Sequence, residues 1–206
     1  MKRKLTFISC GRNKLLIFIF FIAIIACCIA VCHFNSSDLS VEVYVNGEPL
    51  YKHEVDATQE MNPYSKREDI VYNTVNDMLL IQYAKSIGIT VSNDEIDAII
   101  IEYKEHYPDI YAAALDGYGE DQLRQGTENR LLIEYALQHI YEDFSADLDI
   151  NQEIINRYLI ENNISPESLT DSEYQLLVES YLNTQKAGIK DSWLENARQT
   201  SDIVYP

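Results

Sequence analysis

Val43-Tyr44-Val45-Asn46-Gly47-Glu48-Pro49-Leu50 is the stretch on which the fold turns. Val41, Val43 and Val45 alternate with Glu42 and Tyr44, the period-two pattern of a strand with one buried face. Asn46-Gly47 closes that strand with a turn signal. A short helix is expected next, roughly Tyr51 to Gln59, and Asn62-Pro63 breaks it. A lone strand cannot satisfy its own backbone N–H and C=O groups, so it needs a partner elsewhere in the chain. The other strand candidate is Ile203-Val204-Tyr205, at the far end. The pattern therefore predicts a two-stranded β pairing that closes a mainly α domain on itself.

The intervening chain reads as helices. From Asp69 to Ile87, Val71, Val75, Met78, Leu79, Tyr83 and Ile87 recur at spacings of three or four, and Leu80, Ile81 and Ala84 widen the stripe. A stripe that broad predicts the buried central helix. Gly88 supplies its stop. Ser92 and Glu95 form a capping box for the next helix, whose face is Ile96, Ile99, Ile100, Tyr103 and Tyr107. Pro108 opens a short alanine-rich helix that Gly117 and Gly119 end. A long helix over about 120–144 shows Leu123, Thr127, Leu131 and Tyr135 on one side, and another over 149–161 shows Ile150, Ile154, Ile155 and Tyr158. The last helix, about 171–198, begins at a Thr170/Glu173 capping box and carries Tyr174, Leu177, Val178, Tyr181, Leu182, Ile189 and Trp193. Gly188 within it is where a bend is expected.

Ahead of this domain lies an export segment. Lys2, Arg3, Lys4, Arg12 and Lys14 make a basic start, and Leu15 to Cys32 gives 18 uncharged residues. At about 1.5 Å per residue such a helix spans roughly 27 Å, near the hydrocarbon thickness of about 30 Å. Beyond it Asp38, Glu42 and Glu48 precede the first basic residue, Lys52. That asymmetry places the N-terminus in the cytoplasm and the bulk of the chain outside. The expected organisation is a cytoplasmic segment 1–14, a single-pass transmembrane signal-anchor 15–32, a linker 33–40 and a helical domain 41–206 in the cell membrane's exterior space. A cleaved signal peptide and lipid processing at Ile24-Ile25-Ala26-Cys27 remain as alternatives, and both also export the domain.

Cysteine and charge narrow the functions further. Cys10, Cys27, Cys28 and Cys32 all lie in or before the anchor, so the domain beyond has neither disulfides nor thiol chemistry. The first 14 residues hold five of the 16 basic residues and none of the 33 acidic ones, leaving a net charge of −22 on the remainder. Such a surface repels nucleic acid and anionic headgroups, and suits basic or unfolded partners.

Taken in order, these signals resemble a known family. The strand with Asn46-Gly47-Glu48-Pro49, the short helix, the long helix with Leu79-Leu80, then Gly88-Ile89 and a capping box with Asp94 and Glu95 form a first block. Trp193-Leu194 and the terminal strand form a second. Together, over about 41–163 and 172–206, they resemble the SurA N-terminal domain and the PrsA-type foldases, the chaperone part of extracytoplasmic peptidyl-prolyl isomerases. In those relatives a parvulin isomerase domain usually precedes the last helix. Here Asn163 to Thr170 leaves eight residues there, against the roughly 100 of an ordinary small domain. The resemblance thus implies a SurA N-terminal-like helical domain that binds unfolded or newly exported polypeptides without isomerase catalysis. The alternative is a dedicated interaction or assembly subunit that grips one envelope protein partner.

No residue pattern points to an enzyme. His53, His106 and His139 lack ligand spacing, and no Gly-x-Ser-x-Gly, phosphate loop or Gly-x-Gly-x-x-Gly is present. Asp147, Asp149 and Asn151 imitate half a calcium loop, but Gln152 and Tyr158 stand where its glycine and glutamate belong. No catalytic residue, cofactor or metal ligand is assigned. Tyrosine is the one enrichment, with all 15 beyond the anchor. Tyr supplies broad contact area with a polar tip. Tyr83, Tyr103, Tyr135 and Tyr181 complete helix faces, whereas Tyr107, Tyr111 and Tyr118 cluster where two helices join and are the candidate client-binding residues.

Overall fold

The computed structural model of the protein describes residues 40–144, 152–162, 164–165 and 169–206. The expected anchor at 15–32, Cys27 and the calcium-like Asp147, Asp149 and Asn151 lie outside the described residues. Among those described, no helix is long and apolar enough to cross a membrane. Among the described residues the domain is mainly α, with seven helices and a small antiparallel sheet.

The sheet has three strands where the sequence predicts two. β1 (Val41–Val45) is central, between β2 (Glu48–Tyr51) and β3 (Ile203–Val204). Asn46 and Gly47 both have positive φ, 52° and 84°, so Asn46-Gly47 makes a two-residue turn and not merely a strand end. Val45 then faces Glu48, and Val43 faces Leu50. The second strand escapes a sequence reading because Pro49 argues against a strand. Pro49 is tolerated here because β2 is an edge. The end-to-end pairing is present, with Tyr44 opposite Val204 and Val45 opposite Ile203.

Side chains lock that closure. Asn46 Oδ1 accepts from the Asp202 N–H at 2.9 Å, and the Asn46 N–H donates to the Asp202 carbonyl at 2.7 Å. Gln82 Nε2 donates to the Val45 carbonyl at 3.0 Å and to Glu48 at 2.8 Å. Near the end of the last helix, Arg198 Nε donates to Asn76 Oδ1 at 2.7 Å and its Nη2 to the Tyr72 carbonyl at 2.9 Å, with the guanidinium 3.7 Å from the Tyr72 ring centroid.

The helices are α1 (Lys52–Met61), α2 (Arg67–Ser86), α3 (Asn93–His106), α4 (Pro108–Tyr118), α5 (Glu120–Asp143), α6 (Gln152–Glu161) and α7 (Asp171–Thr200). As the apolar stripe requires, α2 is buried on two sides. Val71, Val75 and Leu79 pack with Val43, Val45 and Leu50 of the sheet. Leu80 and Ala84 pack with Leu132, Ala136 and Ile140 of α5 and Leu194 of α7. The sheet is therefore covered by α1, through Val55, and by α2, with Ala197 the contribution of the last helix. At the end of α2, the Ile89 N–H reaches the Ala84 carbonyl at 2.9 Å and the Gly88 N–H reaches that of Lys85 at 3.1 Å, around Gly88 at φ 81°. This is a Schellman stop, with Ile89 packed back onto the core that holds Ala84.

The outer helices are less deeply set than their stripes suggest. In α7 only Leu194 is buried, and Tyr174, Leu177, Tyr181 and Trp193 are half-buried. Trp193 rests on Tyr83 of α2 with ring centroids 4.9 Å apart, and the Tyr83 hydroxyl lies 3.1 Å from His139 Nδ1 of α5. α6 meets α7 through Tyr158 and Tyr181, 5.2 Å between centroids.

Two predictions follow from this packing. Removing residues 202–206 takes away the β3 pairing, the Asp202 clasp and the packing of Ile203. Chemical denaturation of the otherwise full chain should show a loss of about 2–4 kcal/mol, and an unchanged midpoint would contradict the closure. The second concerns Asp77 on α2. Its carboxyl is pushed up to about 7 by burial, partly offset by Lys190 of α7. Unfolded, it titrates near 3.9. Because the folded value is the higher, its contribution is fully present below about pH 4 and is lost as pH rises through about 7. Asp77→Asn removes the titration, so urea midpoints at about pH 5 and 8 should differ less in that variant than in the wild type. Equal differences would contradict the assignment.

Candidate functional site

The helical hairpin α3–α4 departs from the rest of the domain. Ile96, Ile99, Ile100, Ile101 and Tyr103 lie in α3, and Ile110, Tyr111, Leu115 and Tyr118 lie in α4. Yet Ile96 is the one buried residue of α3, and α4 has none. Ile101 is 54% exposed, Ile110 40% and Leu115 38%. By contrast α5, against which both helices pack, buries Leu123, Leu131, Leu132, Ala136 and Ile140.

Polar straps, beside the burial of Ile96, tie the start of α3 to α5. Ser92 caps α3, with its N–H and hydroxyl both donating to Glu95 Oε2, at 2.8 and 2.6 Å. The Tyr135 hydroxyl of α5 donates to Glu95 Oε1 at 2.6 Å. The Ser92 hydroxyl first, then the Tyr135 hydroxyl and the Ser92 N–H, hold the Glu95 carboxyl down to about 2. Arg124 of α5 pairs with Asp97 and donates to Asn93 Oδ1 at 3.2 Å. Arg130 Nη1 lies 3.5 Å from the Tyr103 hydroxyl. These anchors lie on α3; α4 is reached through Tyr107, the residue that ends α3 and precedes Pro108.

The three tyrosines singled out from the sequence all map to this unit, and all are half-buried. Tyr107 stands at the helix junction, 6.2 Å from the Tyr103 ring and 6.4 Å from His106. The Tyr111 N–H donates to the Tyr107 carbonyl at 2.9 Å. The Tyr118 hydroxyl points to Met61 Sδ of α1 at 3.5 Å. At 100° per residue, Tyr107, Tyr111, Ala114 and Tyr118 share one side of α4, with Ile110 and Leu115 at its margins and Asp109 and Asp116 opposite. The sequence reading omits Ile101, Ile110 and Leu115. The spacing of Ile110 and Leu115 about the tyrosine side was the available signal.

Chemically this surface offers aliphatic and aromatic area, phenol tips and carboxylates. Among the described residues, no group of three or more His, Cys, Asp or Glu side chains is placed to hold a metal ion. His139 is engaged by Tyr83 and Asp143, and His106 Nδ1 by the Glu102 carbonyl of its own helix. No protein-family model matches the sequence, and no curated protein matches it.

If the hairpin's exposed apolar residues contribute little to folding, Ile110→Ser and Leu115→Ser should each cost less than about 1 kcal/mol, whereas Leu132→Ala should cost about 2–5 kcal/mol. Thermal denaturation of the three variants checks this. A loss at Ile110 or Leu115 as large as that at Leu132 would make the hairpin an ordinary part of the core.

Proposed function

We propose that this chain is a membrane-anchored, extracytoplasmic chaperone-like protein that binds unfolded or newly exported polypeptides at the α3–α4 hairpin. The observation that carries the reading is an isoleucine- and tyrosine-rich hairpin that buries a single residue, Ile96. Apolar area left uncovered on an ordered helix pair is available to an unfolded chain, which exposes the same kind of surface. Half-buried tyrosines add contact area at low entropic cost. The basic start and uncharged stretch of the N-terminal sequence supply the anchor and the orientation. The short connection supports the reading without isomerase catalysis. α6 ends at Glu161 and α7 begins at Asp171, which leaves no room for a parvulin domain between them.

The test is an aggregation assay with the full chain in nanodiscs. A stoichiometric amount should slow aggregation of several unrelated unfolded proteins, and the Ile110→Ser/Leu115→Ser variant should lose most of that effect while melting normally. The same preparation should leave the cis/trans relaxation of a prolyl peptide at its uncatalysed time of tens to hundreds of seconds. Undiminished holding by the double variant would remove the hairpin from the account. A photo-crosslinker at position 110 in native membranes separates a general binder from a dedicated subunit. Many exported proteins should be captured, and one constant partner would assign the hairpin to assembly of a single envelope complex.

A further inference from the structure

From the charge on the same hairpin we infer the chemistry of what it binds: an apolar polypeptide segment flanked by lysine or arginine. This inference rests on the hairpin being the binding surface and adds which chains it prefers. Between Asn93 and Tyr118 stand seven acidic residues and one basic residue, Lys104. Glu95 and Asp97 serve the straps to α5, and Asp94 and Asp109 lie in the first turns of their helices, where the helix dipole favours a negative charge. Glu102, Glu105 and Asp116 have no such local role. All three are exposed, and none has a salt-bridge partner among the described residues.

Two of these positions run against helix energetics. Glu105 is in the last turn of α3, and Asp116 is in the last turn of α4, which carries no basic residue there. The C-terminal end of a helix disfavours negative charge. Glu102 and Glu105 also lie close to apolar side chains of α3. Glu105 is one turn from Ile101 and Glu102 one turn from Ile99, whereas Asp116 lies on the side of α4 away from the tyrosines. A bound segment that covers Ile101 therefore brings its flanks against Glu102 and Glu105, and Asp116 adds to the negative field of the hairpin. Basic flanks relieve the repulsion there, and acidic flanks add to it.

Three fluorescent peptides with one apolar core and lysine, serine or glutamate flanks test this against the full chain in zwitterionic nanodiscs, with empty nanodiscs as the blank. The lysine-flanked peptide should bind about tenfold more tightly than the serine-flanked one at low salt, the glutamate-flanked one more weakly still, and added salt should close the gap. The Glu102→Gln/Glu105→Gln/Asp116→Asn variant should lose the preference but keep serine-peptide affinity. A control with Glu179→Gln, Asp191→Asn and Glu195→Gln on α7 should keep it, which separates a local effect from the overall negative field. Equal affinity for lysine and serine peptides, or equal loss in both variants, overturns the inference and leaves the hairpin as a binding surface. No binding of any peptide overturns both.

Discussion

The antiparallel pairing of β3 with β1 is the constraint on which the domain depends. It joins residues about 160 positions apart, Tyr44 with Val204 and Val45 with Ile203. Without it, the central strand would lose one of its two neighbours, and the end of α7 would lose the sheet that fixes it. Asn46 couples the closure to the hairpin turn, because the residue that turns β1 into β2 also holds the Asp202 backbone at both its N–H and its carbonyl. Closing so long a loop carries a chain-entropy cost that grows slowly with length, and the Arg198 and Gln82 contacts help offset it. Once the ends meet, α2 is held between the sheet and α5, and the two apolar clusters share that one helix.

Burial is distributed unevenly around that centre. The sheet, α2 and α5 contain most of the buried apolar residues, while α3, α4 and much of α7 remain half-buried or exposed. A hairpin held by carboxylate, hydroxyl and guanidinium contacts at one end, with Ile101 and Ile110 exposed, opens at lower free energy than the core it rests on. The proposed polypeptide binding uses that division: a rigid part that orients the hairpin, and a hairpin whose apolar residues are not committed to folding. In this proposal the net negative charge opposes self-association of such a surface and favours cationic chains.

Local signals were the legible part of the fold. Gly88, the Ser92/Glu95 and Thr170/Glu173 boxes and Pro108 each specify a helix end through a nearby backbone group, and each stands where the sequence puts it. The partnership of the two terminal strands was legible because a single strand leaves unmet hydrogen bonds. β2 was not, since Pro49 outweighs a four-residue strand whose edge position only the assembled sheet reveals. Neither was the exposure of Ile101, Ile110 and Leu115. Periodicity tells which side chains share a helix face; whether another element covers that face is a tertiary matter. Tyr107, Tyr111 and Tyr118 lie at the α3–α4 junction, and the exposed residues beside them on which the proposal rests became visible only from burial.

Hydrogen exchange of the full chain with and without a permanently unfolded protein tests the central claim most directly. The account predicts that amides of α3 and α4, over 93–118, exchange faster than those of β1, α2 and α5 in the free chain and slow when the unfolded protein is added, while β1, α2 and α5 stay unchanged. Slow exchange of α3 and α4 in the free chain, or added protection that falls elsewhere and spares them, would contradict it.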